Sequence, residues 1–154
     1  YLTGALPLSV HALALPNGGR YQDDNVSIQI TLSDGSFGTI HYLANGDRSY
    51  MKERVEAFSG GRIAVLNDFR ELDTWSAGEI RKLKSAFRVN KGHSRLWKAF
   101  VETVAGGGAA PIALEEVFAA SLAAFAVAES IRQKDAIQIP ALESLSEISL
   151  NRGD

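Results

Sequence analysis

The side chains best suited to chemistry in this chain sit in one polar stretch, Tyr42-Leu43-Ala44-Asn45-Gly46-Asp47-Arg48-Ser49-Tyr50-Met51-Lys52-Glu53-Arg54. A phenol, an amide, a carboxylate and an ammonium group together can donate to and accept from hydroxyl groups, the chemistry that recognises a polyol. Tyr42, Asn45, Asp47 and Lys52 are therefore the candidate substrate-binding residues. The same stretch also reads as a solvated hairpin connection with a Lys/Glu strand edge, and residue types alone leave both readings open. Other chemistry is scarce. The sequence has no cysteine, which removes thiol nucleophiles, disulfides and Cys-ligated zinc. His11, His41 and His93 show no HExxH spacing, and the first two read as hydrogen-bonded sheet residues. Glu102, Glu115, Glu116 and Glu129 read as solvated or capping helix carboxylates. No GxSxG elbow is present, and Gly106, Gly108 and Pro111 give GxGxxP at a helix end rather than between strand and helix. No catalytic residue, cofactor-binding residue or metal ligand follows from these residues.

The elements that must position the polar stretch are legible from periodicity. Asn25-Val26-Ser27-Ile28-Gln29-Ile30-Thr31-Leu32 alternates polar and apolar residues, the period of a half-buried strand. Ser33-Asp34-Gly35-Ser36 supplies turn chemistry into a second strand at 37–43, making a hairpin. Further hairpins are expected between 54–58 and 62–66 across Ser59-Gly60-Gly61, and between 69–75 and 79–84 across Ser76-Ala77-Gly78. Residues 8–15 add a strand at the front, and Ile137-Gln138-Ile139-Pro140 a short edge strand near the end. From Lys91 the period becomes helical. Leu96, Trp97, Phe100, Val101 and Val104 make one apolar face of a helix near 94–105, capped by Ser94 or Asn90 and ended at Gly106-Gly107-Gly108. A second helix spans 114–133, apolar nearly all round and so expected to be buried on more than one side.

Strands followed by helices predict an α+β fold. The expected form is a largely antiparallel sheet of about six to seven strands joined by short loops. Two main helices pack on one face, and the other face is left open for oligomerisation. Ile63, Val65, Phe69, Trp75 and Ile80 alternate with Leu66, Leu72 and Leu83, so both faces carry large apolar groups. One domain accounts for 154 residues, and a formal charge of −2 gives no basic face for nucleic acid. The longest apolar run, 117–128, is short of a membrane span, and a cytoplasmic, non-membrane protein is expected.

The order of Asp24-Asn25-Val26, Asp34-Gly35-Ser36, Tyr42, Gly46-Asp47, Lys52-Glu53-Arg54, Gly60-Gly61-Arg62, Asp68-Phe69-Arg70 and Lys91-Gly92-His93 resembles the C-terminal domain of the Gfo/Idh/MocA oxidoreductases. More narrowly it is similar to the subgroup in which that module follows a zinc-type alcohol-dehydrogenase-like module. The resemblance runs from Tyr1 to about Arg132. It implies a substrate-binding and oligomerisation domain of an NAD(P)-dependent oxidoreductase acting on a sugar, nucleotide sugar or polyol. It also implies a missing N-terminal Rossmann domain that holds NAD or NADP. The family's Glu-Lys-Pro lysine and Asp-x-x-x-His pair belong to chain before this sequence: no lysine here lies between Glu and Pro, and Pro7, Phe37 and Val89 stand four before the histidines. Tyr1-Leu2-Thr3-Gly4 resembles the end of the helix after the family's catalytic histidine. Residues 1–136 are thus expected to form the family's α+β domain and 137–154 a C-terminal extension, with no cofactor bound by this portion. The alternative from a different class is a non-catalytic interaction module that dimerises through its open sheet face.

Overall fold

The computed structural model describes residues 2–19, 24–85 and 91–141. Asn90, one candidate helix cap, and residues 142–154 of the expected extension lie outside these. In chain order the elements are β1 (Pro7–Ala14), β2 (Asn25–Leu32), β3 (Phe37–Leu43), β4 (Arg54–Ser59), β5 (Arg62–Asn67), β6 (Glu71–Ser76), β7 (Glu79–Lys84), α1 (His93–Gly106), α2 (Leu114–Gln133) and β8 (Ile137–Gln138). The fold is α+β, as expected. The strands do not form the single sheet foreseen. They make two antiparallel sheets of four strands, ordered β3-β2-β1-β8 and β4-β5-β6-β7. The sheets belong to two units, one reaching to Asn45 and resuming at Ala109, the other Gly46–Gly108.

In the first unit the alternation of β2 sets the layers. Val10 pairs with Ile30, Ala12 with Ile28 and Ala14 with Val26, so one face collects the apolar residues. Helix α2 lies on β1 and β8, and Val10 and Ala12 beneath it are only 1% exposed. The opposite face carries Ser9, His11, Ser27, Gln29, Thr31, Thr39 and His41, with Leu13, Phe37 and Leu43 exposed among them. Ser130 pins the helix to the sheet. Its Oγ accepts the Ala12 N–H at 2.8 Å and donates to the Asp135 carbonyl at 2.6 Å, just beyond the reach of the two-residue strand β8. Contrary to expectation, α2 buries one stripe only, Ala119, Ala126 and Ser130. Leu114, Phe118 and Phe125 on its other side stay exposed.

The second unit is a meander whose tight turns explain its register. Gly60 and Gly61 both take left-handed φ, as a two-residue hairpin loop demands. The β5–β6 turn meets the same demand without glycine: Asp68 and Phe69 stand at φ 48° and 54°, and the Arg70 N–H donates to the Asn67 carbonyl at 2.9 Å. Phe69 is therefore a turn residue and not the start of a strand. The register confirms that β4–β7 carry apolar rows on both faces: Val55-Leu66-Leu72-Leu83 on one, Phe58-Ile63-Trp75-Ile80 on the other. Helix α1 makes no extensive contact with the strands of its own unit, so the expected packing of both helices on one face does not hold there. Leu96, Trp97, Phe100, Val101 and Val104 are all exposed. Its N-cap is Gly92, left-handed at φ 80°, with no side-chain capping bond; Ser94 lies inside the helix.

Candidate functional site

Each polar candidate takes its position from the end of a strand. Tyr42 stands near the end of β3 opposite Val26, on the α2-bearing face of the first sheet but well exposed. Two residues beyond β3, the Asn45 N–H donates to Asn25 Oδ1 at 3.0 Å. Asn25 is itself buried, and its amide nitrogen donates to Asp24 Oδ1 at 2.9 Å. The Ala44 N–H donates to the Asp24 carbonyl at 3.0 Å. This buried asparagine thus fixes the backbone carrying Asn45 and leaves the Asn45 side chain at the surface. Tyr42 and Asn45 share one end of the first sheet.

Asp47 and Lys52 belong to the second unit. Asp47 closes its own turn: one carboxylate oxygen accepts from Ser49 Oγ at 2.7 Å and from the Ser49 N–H at 2.8 Å. The hydroxyl, then the amide, hold this carboxyl below its ordinary range, so Asp47 is ionised near neutrality and has lone pairs left for a ligand hydroxyl. Lys52 is exposed two residues before the start of β4.

The second unit also gathers residues that sequence reasoning left apart. Glu53 forms an ion pair with Lys91 across 38 positions of chain. The Lys91 ammonium lies 5.4 Å from the centroid of the Phe69 ring, a cation–π distance. The Asp68 N–H donates to the Glu53 carbonyl at 2.7 Å, and Asp68 pairs with Arg70 at 3.4 Å. Three quoted sequence segments, around Glu53, Asp68-Phe69 and Lys91, thereby converge at one end of the second sheet. The left-handed turn at Asp68 and Phe69, a conformation that costs a non-glycine residue of order 1–2 kcal/mol, is what brings the ring beneath Lys91. The only signal available in advance was the presence of charged groups in each segment.

The Lys91 hydrogen bond is the main reason the Glu53 carboxyl titrates below its ordinary value. A depressed folded-state value adds stability above the unfolded value, near 4.3, and that stability is lost as pH falls through the folded one. Acidification from neutrality to below the usual glutamate range should therefore lower the Tm of the wild-type chain more than that of Glu53→Gln. Parallel slopes for the two chains in a pH series of thermal melts would remove Glu53 from the acid transition.

Among the described residues no three His, Asp or Glu side chains group to hold a metal ion, and no helix is long and apolar enough to cross a membrane. The helices begin behind Gly92 and Ala113, and neither start carries a G-x-G-x-x-G run.

No family model and no curated protein matches the chain. Solved structures do. Levoglucosan dehydrogenase in complex with NADH aligns with TM-score 0.72 and 17% identity over 89% of this chain and 46% of its own. Aldose-aldose oxidoreductase from Caulobacter crescentus aligns with TM-score 0.74 and 12% identity over 90% of this chain and 43% of its own. UDP-N-acetylglucosamine 3-dehydrogenase from Acidithiobacillus ferrooxidans aligns with TM-score 0.64 and 18% identity, covering 83% and 41%. These are Gfo/Idh/MocA-type sugar oxidoreductases. The likeness is one of fold, and the chain spans less than half the length of each of these structures.

Proposed function

We propose that this chain is the substrate-side and oligomerisation domain of an NAD(P)-dependent Gfo/Idh/MocA oxidoreductase acting on a sugar, nucleotide sugar or polyol, in the subgroup joined to a zinc-type alcohol-dehydrogenase-like module. The observation that carries the reading is the fold match over nearly nine-tenths of this chain to under half of a sugar dehydrogenase solved with NADH. The exposed Leu114, Phe118 and Phe125 on α2 support it, since a further domain supplies a natural cover. Residues 1–136 form the domain. The absent Rossmann portion holds NAD or NADP, which accepts or returns the hydride. Tyr42, Asn45, Asp47 and Lys52 contribute the substrate wall: the asparagine and lysine donate to ring hydroxyls, and Asp47 accepts from them.

Titration separates the parts of this reading. The isolated chain should give no binding heat with NADH or NADPH, because among the described residues neither helix opens on a G-x-G-x-x-G run behind a strand. Micromolar affinity for either would overturn the assignment of the cofactor to another domain. A panel of aldoses, levoglucosan and inositol at millimolar concentration should shift the amide resonances of Asn45, Asp47 and Lys52 in two-dimensional NMR. Shifts confined to other residues would displace the substrate wall. A second reading, a non-catalytic module that self-associates through an open sheet face, draws on the apolar rows on both faces of β4–β7.

A further inference from the structure

We infer that Asn45-Gly46 is a self-modifying site, at which the Gly46 backbone nitrogen displaces ammonia from the Asn45 carboxamide and a carboxylate takes its place. Water is the only co-reactant. The effect of the change on sugar binding rests on the substrate wall proposed above; the chemistry itself does not.

The reaction is a ring closure followed by hydrolysis. The Gly46 nitrogen gives its proton to solvent base and attacks Asn45 Cγ. The Cγ–Nδ2 bond breaks, ammonia leaves, and a five-membered succinimide remains. Water opens that ring at either carbonyl, giving aspartate or, with the main chain rerouted through Cβ, isoaspartate. An amide and a water are consumed, a carboxylate and an ammonium ion are formed, and nothing is oxidised or reduced. The step is fast where the following residue has no Cβ to crowd the approach, where hydrogen bonds hold neither reacting group, and where water has access.

Residues 45 and 46 meet all of these conditions. Both are exposed. The bond from the Asn45 N–H to Asn25 Oδ1 at 3.0 Å fixes the amino side of the residue only. Among the described residues neither the Asn45 carboxamide nor the Gly46 N–H has a hydrogen-bond partner. The other candidates are held back. Asn25 is 5% exposed, gives its amide to Asp24 and is followed by β-branched Val26. Asn67 accepts from Arg54 Nη1 at 3.2 Å and precedes Asp68. Asp34-Gly35 would close the same ring with loss of water, but one oxygen of its carboxylate accepts the Ser36 N–H at 2.9 Å and Ser36 Oγ at 2.5 Å. Those bonds keep the group ionised and so a poor electrophile. In the remaining Asn-Gly pair Asn17 engages a partner and Gly18 stands in a β-bridge, so closure is slower there.

The product changes what residue 45 offers a ligand. A carboxylate accepts hydrogen bonds and donates none, so the wall loses a donor to ring hydroxyls and gains an acceptor. The new charge adds to a formal −2 and stands two residues from Asp47.

Tryptic cleavage after Arg20 and Arg48 puts the two Asn-Gly pairs in separate peptides. The chain is kept warm at mildly alkaline pH for days, once folded and once in denaturant, then digested and weighed. In the folded chain Asn45 should gain one mass unit roughly tenfold faster than Asn17, and protein isoaspartate methyltransferase should label the same peptide. In denaturant, where both pairs are equally free, the two rates should converge. Gly46→Ala and Asn45→Gln should each suppress the gain at residue 45, the first by crowding the nitrogen and the second by demanding a six-membered ring. No gain at Asn45, a gain at Asn17 as fast as at Asn45 in the folded chain, or an undiminished gain in both variants would each overturn the site. Asn45→Asp, the product made directly, should weaken the sugar titration several-fold. An unchanged titration beside a proceeding mass gain would count against the substrate wall and leave the modification standing, so the two proposals fail separately.

Discussion

Ser130→Ala should cost the first unit about 1–3 kcal/mol, the penalty for leaving a buried donor without its partner. The side chain is 0% exposed and the Ala12 amide it caps belongs to a residue 1% exposed. No water reaches that N–H once the hydroxyl is gone. Strand β8 cannot take it over, because its pairing stops at Val10. The Asp135 carbonyl is less at risk, since Asp135 is exposed and can turn to solvent. Against a typical total of about 5–15 kcal/mol, the loss is large, and a fall in Tm of roughly 5–10 °C is expected. Far-UV circular dichroism is the probe to use, because both tryptophans, Trp75 and Trp97, lie in the other unit. Ser121→Ala on the same helix is the control. Its hydroxyl is exposed and returns to the Val117 carbonyl four residues back at 2.9 Å, a bond that adds almost nothing to a helix. Equal melting points for the two variants would show that helix docking rests on apolar contact alone.

The contrast between these two serines illustrates what the sequence made legible. Ser121 was visible as an interruption of the apolar run 117–128, and it matters little. Ser130 looked like any polar residue near a helix end, and its importance appears only when β1 is placed beneath it. Elements governed by short-range pattern were readable: the alternation of β2, the glycine turns of β4–β5 and β6–β7, and the extents of both helices. The division into two sheets was not, because residues 44–53 read as one more hairpin connection and strand order beyond a hairpin is a long-range choice. The Asp68-Phe69 turn was missed for a local reason. Neither residue announces a left-handed backbone, and Phe69 fits a strand pattern equally well. The polar candidates were found by chemistry alone. Tyr42 and Asn45 are held at one sheet end by the Asn25 anchor, while the meeting of Glu53 with Lys91 depends on a separation no periodicity encodes.

The second large expected effect is loss of self-association on placing a charge in the apolar row of the second sheet. The two faces of β4–β7 are not equivalent. The face bearing Phe58, Ile63, Trp75 and Ile80 also holds the ion pairs Arg54–Glu56, Lys82–Asp73 and Lys84–Glu71, a charged half suited to water. The other face carries Val55, Leu66, Leu72 and Leu83 in one row and Ala57, Ala64 and Thr74 in the next. Of its charges, Arg62 and Glu79 stay at the turn end, while Arg81 stands opposite Thr74 in that second row. This second face is the one we propose meets its copy, sheet on sheet about 10 Å apart. Burying several hundred Å² or so of it at about 25 cal/mol per Å² leaves a favourable balance after association entropy. Leu72→Asp puts a carboxylate in the middle of the row, where desolvating an unpaired charge costs far more than the leucine contributed. Light scattering coupled to size exclusion should therefore read a dimer for the wild-type chain at micromolar concentration and a single chain for Leu72→Asp, a weakening of roughly a hundredfold or more. Lys82→Asp on the opposite face should leave the mass unchanged. A wild-type chain that elutes as one copy across a tenfold dilution would mean that this face is covered within the parent protein rather than by a second copy.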